Sequence, residues 1–277
     1  MGLKVTGACR LKCPFCCEPD REQEEYSSQR LIEIIDILRK NGTSRLCFTG
    51  GDPLLYPSLL ELLKHSHSIG FKNLLLTSDG VLLKKKYAEI IKFVEAVRFS
   101  VHGIEKAHDS VVGEAGAFAA IDEMIDVITA SGCPCYVTTV ISASNVDQIY
   151  DIASWCFSKK VKHYYLFGMM KSGRGDRFLN TYGEVSSENI GIVIESLKSM
   201  YSPSDMKVIY YDYQKKSECI LVYGDGRIVI DPYPDAPSFQ AEIGNLISQS
   251  VLEIMTKFNS DPENLKGYNA HLEVIPS

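Results

Sequence analysis

Hydrophobic and polar positions switch between two periods along the first two hundred residues. A short apolar run at 3–6 predicts a strand ending at Gly7. Leu31, Ile34, Ile35 and Leu38 then recur at helical spacing and predict a helix over 27–40, closed by Asn41-Gly42. The alternation repeats five more times. Strands are expected at 46–49, 73–77, 97–101, 136–141 and 163–167, and helices at 58–69, 88–94, 118–130, 146–157 and 190–200. Pro57 opens one of these helices and Gly70 ends it.

Six strand–helix units in alternation imply a parallel sheet faced by helices. Right-handed crossovers curl such a sheet toward a barrel, and six units fall short of the eight that close one. The expected class is α/β, a partial (β/α)6 TIM-like barrel over 1–203. The pattern changes after Pro203. Strands are expected at 207–213, 220–223 and 227–230, with Gly224-Asp225-Gly226 as a hairpin turn. Three prolines in 231–237 break the pattern, and a helix at 251–258 closes it. Residues 204–277 are expected to form a small α+β C-terminal appendage.

Of the 277 residues, 45% are hydrophobic and 23% charged, as in an ordinary soluble domain. No apolar run approaches the roughly 18 residues of a membrane span, and Met1–Val5 carries no secretion signal. A cytoplasmic protein without a membrane partner is expected. The net charge of −6 weighs against a phosphate-backbone partner, so nucleic acid is disfavoured. The nine cysteines form an odd set in a chain without a secretion signal, which points to metal binding or catalysis over a disulfide framework.

Three of those cysteines fall directly after the first strand. Cys9-Arg10-Leu11-Lys12-Cys13-Pro14-Phe15-Cys16 spells Cys-x-x-x-Cys-x-x-Cys at the end of the sheet where α/β sites assemble. Three thiolates on one loop can each hold one iron of a cubane cluster and leave the fourth iron open to a ligand. Structural zinc would need a fourth ligand; the nearest candidate, Cys17, adjoins Cys16 and is awkwardly placed.

The loop resembles the cluster motif of the radical S-adenosylmethionine (SAM) superfamily, including an aromatic residue, Phe15, before the last cysteine. Further segments resemble the family in order along the chain: Thr49-Gly50-Gly51-Asp52-Pro53-Leu54, Thr77-Ser78-Asp79-Gly80, Ser100-Val101-His102-Gly103 with His108-Asp109, Asn145, and Gly173-Arg174-Gly175. The resemblance covers about the first 200 residues.

The resemblance implies one [4Fe–4S] cluster on Cys9, Cys13 and Cys16, with SAM chelating the open iron. It implies that Gly50 and Gly51 admit the methionine moiety, with Asp52 beside them in place of the usual glutamate; a turn cap is the plain alternative for Asp52. Ser78, Ser100 and Asn145 are the polar strand-end candidates, Ser100 for the SAM carboxylate or ribose. Phe15, Leu166 and Gly168 would surround adenine, with loop or sheet packing as the alternative. Arg174 would pair with the SAM carboxylate or an acidic substrate. His102 and His108 are candidates for substrate contact or for structure.

The activity so implied is reductive cleavage of SAM to a 5′-deoxyadenosyl radical, which abstracts a hydrogen atom from a small molecule or peptide. Epimerisation, dehydrogenation, rearrangement or cross-linking would follow, with a flavodoxin- or ferredoxin-type electron donor. The alternatives are a non-catalytic iron–sulfur or SAM-binding protein, and an RNA-modifying enzyme. Because the chain begins at strand one, a small metabolite is favoured over a peptide. The tail resembles the extension called SPASM or twitch, but holds only Cys219, so no auxiliary cluster is expected. Cys219 is a candidate hydrogen donor, or else a remnant on a buried strand.

Overall fold

The computed structural model describes residues 1–17, 26–202, 204–212, 219–230 and 241–261. The acidic stretch 21–25, Pro203, Tyr213 and the proline-rich 231–237 lie outside the described residues.

Along the chain run β1 (Gly2–Thr6), α1 (Ser28–Lys40), β2 (Arg45–Gly50), α2 (Leu59–Ser68), β3 (Asn73–Ser78), α3 (Tyr87–Ile90) and β4 (Ala96–Ser100). Next come α4 (Lys106–Val112), α5 (Ala117–Ala130), β5 (Cys135–Val140), α6 (Ile149–Ser158), β6 (His163–Phe167), α7 (Arg174–Tyr182) and α8 (Ser187–Tyr201). The last described elements are β7 (Lys207–Tyr211), β8 (Ile220–Tyr223), β9 (Arg227–Ile230), β10 (Ala241–Asn245) and α9 (Val251–Ser260). Each strand and helix expected before residue 203 is present. α3 is one turn where seven residues were expected, and α4, α7 and β10 come in addition.

The chain divides into two compact units. The first comprises Met1–Ala8, Glu22–Leu76 and Tyr213–Ser277. Its strands run in the order β10-β9-β8-β1-β2-β3. β8 pairs with β1, β1 with β2 and β2 with β3, all parallel; β9 is antiparallel to both β8 and β10. β8 was expected in a separate appendage, and the structure instead sets it beside β1. α1 buries Leu31, Ile34, Ile35 and Leu38, the four residues of its apolar stripe. The Ser27 side chain caps it by accepting from the Arg30 N–H. α9 starts with a reciprocal capping box between Ser250 and Glu253.

The second unit comprises Cys9–Arg21 and Thr77–Asp212. Its strands β4-β5-β6-β7 are parallel throughout. β7, also expected in the appendage, extends this parallel set beside β6. Alternate residues point to opposite faces. Phe99, Val137, Tyr164 and Leu166 are fully buried on one face, whereas Arg98, Tyr136, His163, Tyr165 and Phe167 are half-buried on the other. α5 begins at Gly116, which has no side chain to cap it. The Asp109 carboxylate supplies the cap from α4, accepting from the N–H groups of Gly116 (2.6 Å) and Phe118 (2.9 Å).

Candidate cluster loop and strand ends

The cysteine loop belongs to the second unit and is held there on two sides. On one side the Lys12 N–H donates to the Val112 carbonyl (2.9 Å) and Arg10 pairs with Glu114 (2.7 Å). Leu11 packs with Val112 and Ala117. On the other side the chain at 172–175 lies against the loop backbone. The Arg174 N–H donates to the Cys16 carbonyl (2.9 Å) and the Ser172 hydroxyl to the Cys17 carbonyl (3.2 Å). Gly173 has φ +58°, and a Cβ there would stand 2.5 Å from the Cys17 oxygen; at Gly175 it would stand 2.5 Å from the Met170 oxygen. Only glycine permits so close an approach.

Within the loop, the Cys16 N–H turns back to the Cys13 carbonyl (3.2 Å). Phe15, 5% exposed, sits in an apolar cluster with Met169, Phe178 and Leu179, against which Cys13 and Val140 also pack. Its ring lies edge-on to His102 and to Phe178. The side chain expected near adenine is thus enclosed in the packing that fixes the loop.

Cys13 and Cys16 are partly buried and Cys9 is exposed. Burial pushes the Cys13 thiol up to about 12; the neighbouring Cys16 and Cys9 push the same way, and the Arg174 charge opposes them. Cys9 and Cys16 therefore each lie within electrostatic reach of Cys13, and three thiols so placed suit a shared cationic centre, which deprotonates coordinating thiols outright. Among the described residues, no three His, Cys, Asp or Glu side chains converge as a single-ion site. A cubane cluster asks for no such convergence, because each thiolate binds a different iron. The donor set fits a [4Fe–4S] cluster with one open iron.

The strand-end residues of the second unit fall into different classes. The Ser78 hydroxyl accepts from the Gly80 N–H (2.9 Å). Ser100 is half-buried at the end of β4, and its hydroxyl makes no hydrogen bond among the described residues. Asn145 is fully buried and its amide is used within the protein. It donates to the carbonyls of Val140 (2.9 Å) and His102 (3.2 Å), and accepts from the Ser142 N–H (2.9 Å) and hydroxyl (3.2 Å). Leu166 is fully buried in β6, and the Gly168 N–H donates to the Tyr211 carbonyl (2.9 Å).

His102 and His108 use their Nδ1 atoms within the protein. Both are buried. The His102 N–H donates to His108 Nδ1 (3.1 Å), and the Val140 N–H to His102 Nδ1 (3.4 Å). Burial first, and the mutual effect of His108, hold His102 at about 3; burial holds His108 at about 4 against the opposing pull of Asp109.

In the first unit the glycine pair explains itself by its neighbours. A Cβ on Gly50 would stand 2.2 Å from the Thr6 carbonyl oxygen, and one on Gly51 would stand 2.1 Å from that of Ala8. The Gly51 N–H donates to the Thr6 carbonyl (3.0 Å) and the Asp52 N–H to that of Ala8 (2.8 Å). The close approach foreseen for a methionine moiety is made by the backbone that leads into the cysteine loop. The Asp52 carboxylate accepts from the Leu54 N–H (2.8 Å), the turn-capping role. Cys219 is exposed one residue before β8, so it is not a buried strand residue.

Sequence reasoning missed the two-sided support of the loop. Ser172-Gly173-Arg174-Gly175 offered a signal in its paired glycines; the Val112 carbonyl offered none, since α4 is too short for a periodic pattern.

None of the nine cysteines is in a disulfide, and no helix among the described residues is long and apolar enough to cross a membrane. The sequence model of the radical SAM superfamily matches residues 3–156. The sporulation killing factor maturation protein SkfB of Bacillus subtilis strain 168 is 28% identical over 158 residues, 56% of this chain and 38% of SkfB. The chain thus spans well under half the length of that curated relative. The crystal structure of Streptococcus suis SuiB bound to S-adenosylmethionine and the solved structure of native anSMEcpe with bound AdoMet share the fold. SuiB gives a TM-score of 0.70 at 15% identity, covering 91% of this chain and 64% of SuiB. For anSMEcpe the values are 0.71 and 13%, with 98% and 83% covered. With more than half of its residues inside the family match, the chain belongs to the radical SAM superfamily, whose cofactors are a [4Fe–4S] cluster and S-adenosylmethionine.

Proposed function

We propose that Cys9, Cys13 and Cys16 hold the cluster, that SAM takes its open iron, and that the substrate is a peptide. The observation that carries the cluster assignment is the two-sided backbone support of a loop whose Cys9 and Cys16 both act electrostatically on Cys13. The peptide reading draws on the relatives. SkfB is named for maturation of a killing factor, one SuiB structure is bound to precursor peptide SuiA, and one anSMEcpe structure holds AdoMet with the Cp18Cys peptide. These outweigh the metabolite reading, which rested on where the chain begins.

Bound on these three cysteines, the cluster with SAM would supply the radical chemistry needed to take a hydrogen atom from an unactivated C–H bond. The protein's residues orient and shield. The Gly51 and Asp52 N–H groups are engaged by the carbonyls of Thr6 and Ala8. Arg174 places a positive charge near Cys13 and suits the SAM carboxylate. Ser100 offers a hydroxyl at the end of β4. Asn145, Phe15 and Leu166 act as positioning residues. We assign residues 1–203 to the core and 204–277 to an extension that adds β7 beside β6 and β8 beside β1, a flavodoxin- or ferredoxin-type protein as electron donor, and the cytoplasm as the setting for nine cysteines outside disulfides.

The test is anaerobic. Protein reconstituted with iron and sulfide is reduced with dithionite, given SAM and assayed for 5′-deoxyadenosine. The wild type forms it and Cys13→Ala does not. Product at the wild-type level in Cys13→Ala overturns the assignment, and so does a wild type that binds neither iron nor SAM.

A further inference from the structure

Helices α6 and α8 of the second unit leave large apolar side chains in water. Of the eight large hydrophobic residues exposed among the described residues, four belong to these two helices: Tyr150 and Phe157 on α6, Ile192 and Met200 on α8. Tyr150 and Phe157 stand two helical turns apart, and so do Ile192 and Met200, so each pair marks one side of its helix. Single exposed apolar residues are ordinary, whereas stripes on adjoining helices mark a contact surface. The C-terminal ends of the two helices meet. The Phe157 ring lies 5.5 Å from that of Tyr201, and Phe157, Met200, Tyr201 and Met206 line a groove of about 870 Å³.

Charge is graded along the same helices. α6 leads into β6 and α8 into β7, so both run against the parallel strands and point the same way. Their N-terminal ends carry exposed Asp147, Asp151 and Glu188. Their C-terminal ends carry exposed Lys160, Lys162 and Lys198. Asp205 and Glu195 join the basic end through surface pairs with Lys162 (3.5 Å) and Lys198 (3.1 Å), contacts that hold their partners weakly. The helix macrodipole favours this order of signs, but it calls for no apolar stripe between them.

Lys160 is the telling residue. In α1, α2 and α5 the residue after the C-cap is a left-handed glycine: Gly42 at φ +86°, Gly70 at +89° and Gly132 at +86°. α6 ends in the same way, but the residue is Lys160 at φ +59°. Glycine takes this conformation freely and lysine does not. Lys160 also lines the groove. The groove therefore holds a cation at the one helix end of the four where glycine, the easier residue, has been passed over.

We propose that the α6–α8 face binds a second copy of this chain, turned head to tail about a twofold axis, so that the acidic end of each copy meets the basic end of the other. A face with one sign at each end is complementary to itself in that orientation, and a twofold contact makes every pairing twice. The exposed Tyr, Phe, Ile and Met side chains supply the apolar centre that such a contact needs. A polyanion or a uniformly charged protein would meet like charge at one of the two ends. The inference is independent of the cluster assignment and of the peptide reading.

Anaerobic sedimentation velocity of the reconstituted protein, from about 1 to about 100 μM, tests it. The wild type is expected to pass from monomer to dimer across that range. Lys160→Gly weakens the dimer at least about threefold while the thermal midpoint holds, because glycine suits the left-handed position. Met200→Glu, at an exposed position, also weakens the dimer and leaves the midpoint in place. Lys160→Glu with Lys162→Glu, and separately Asp147→Lys with Asp151→Lys, each weaken it about tenfold or more, since ends of like sign then meet. An equal mixture of these two double variants dimerises again, because each altered end finds its complement in the other protein. A wild type that stays monomeric to about 100 μM, a dimer that none of these variants weakens, or a mixture no more associated than its two components overturns the proposal.

Discussion

The ring of Phe15 meets that of His102 edge-on, with centroids 4.7 Å apart and planes at 76°. This is a favoured aromatic geometry, and it ties the residue between Cys13 and Cys16 to the chain just past β4. Phe178 of α7 meets the same ring at 6.2 Å. Phe15 therefore sets the spacing of two thiols as well as filling a core. Phe15→Ala is expected to cost about 3–5 kcal/mol and to release iron on desalting, with Phe15→Leu between it and the wild type. Thermal midpoint and iron content are the readouts. Wild-type iron content at a lowered midpoint would reduce Phe15 to core filling.

Gly51 makes a purely steric prediction. The Ala8 carbonyl carbon and oxygen stand 2.5 and 2.1 Å from where its Cβ would be. Both are backbone atoms, so they can yield only by moving the entry to the cysteine loop. Gly51→Ala is expected to cost about 1–3 kcal/mol or more and to lower iron loading. Gly132→Ala is the control. It has φ +86° and nothing within 4 Å, so only backbone strain of about 1 kcal/mol applies. Equal losses in urea midpoint for the two variants would refute the packing argument.

These two positions show where the sequence was legible. Leu31, Ile34, Ile35 and Leu38 announced the buried face of α1 through spacing alone, because a helix face repeats every 3.6 residues. β6 likewise falls at the expected 163–167. The pairings of β7 with β6 and of β8 with β1 were not legible, since parallel partners lie far apart in sequence and leave no local pattern. The three cysteines declared their chemistry through spacing. The glycine pair showed that something comes close, but not that it is the backbone of Thr6 and Ala8. Asn145 stood out by position, yet only its four hydrogen bonds reveal that its amide is already engaged.

That engagement separates structure from cofactor binding. Asn145→Ala leaves the Ser142 N–H and the carbonyls of His102 and Val140 without this partner in a buried site. A loss of about 2–3 kcal/mol in stability is expected, with SAM affinity held within about threefold at temperatures where the variant is folded. Equilibrium dialysis with SAM and urea denaturation decide it. A tenfold loss of SAM affinity at full folding would return Asn145 to the cofactor site.

His102 and His108 make stability depend on pH in a definite direction. Each uses Nδ1 as an acceptor, from the Val140 and His102 N–H groups respectively, so each must be neutral. Burial holds them at about 3 and about 4, against an ordinary 6.5. Above pH 6.5 folded and unfolded chains carry the same protons at these sites, and their contribution is fully present. Below it the unfolded chain takes up protons that the folded chain refuses. Stability then falls with falling pH, by up to about 1.4 kcal/mol per unit for each histidine, until the folded chain titrates as well near 4 and 3. His108→Gln keeps an acceptor for the His102 N–H and removes one titrating group. Urea midpoints of the two proteins, at equal cluster loading, should run parallel above pH 7 and converge or cross as the pH falls to 5. There the wild type will have lost about 2 kcal/mol more than the variant. Parallel curves across the whole range would mean that His108 takes up its proton in the fold as readily as outside it, and the neutral histidine pair would have to be abandoned.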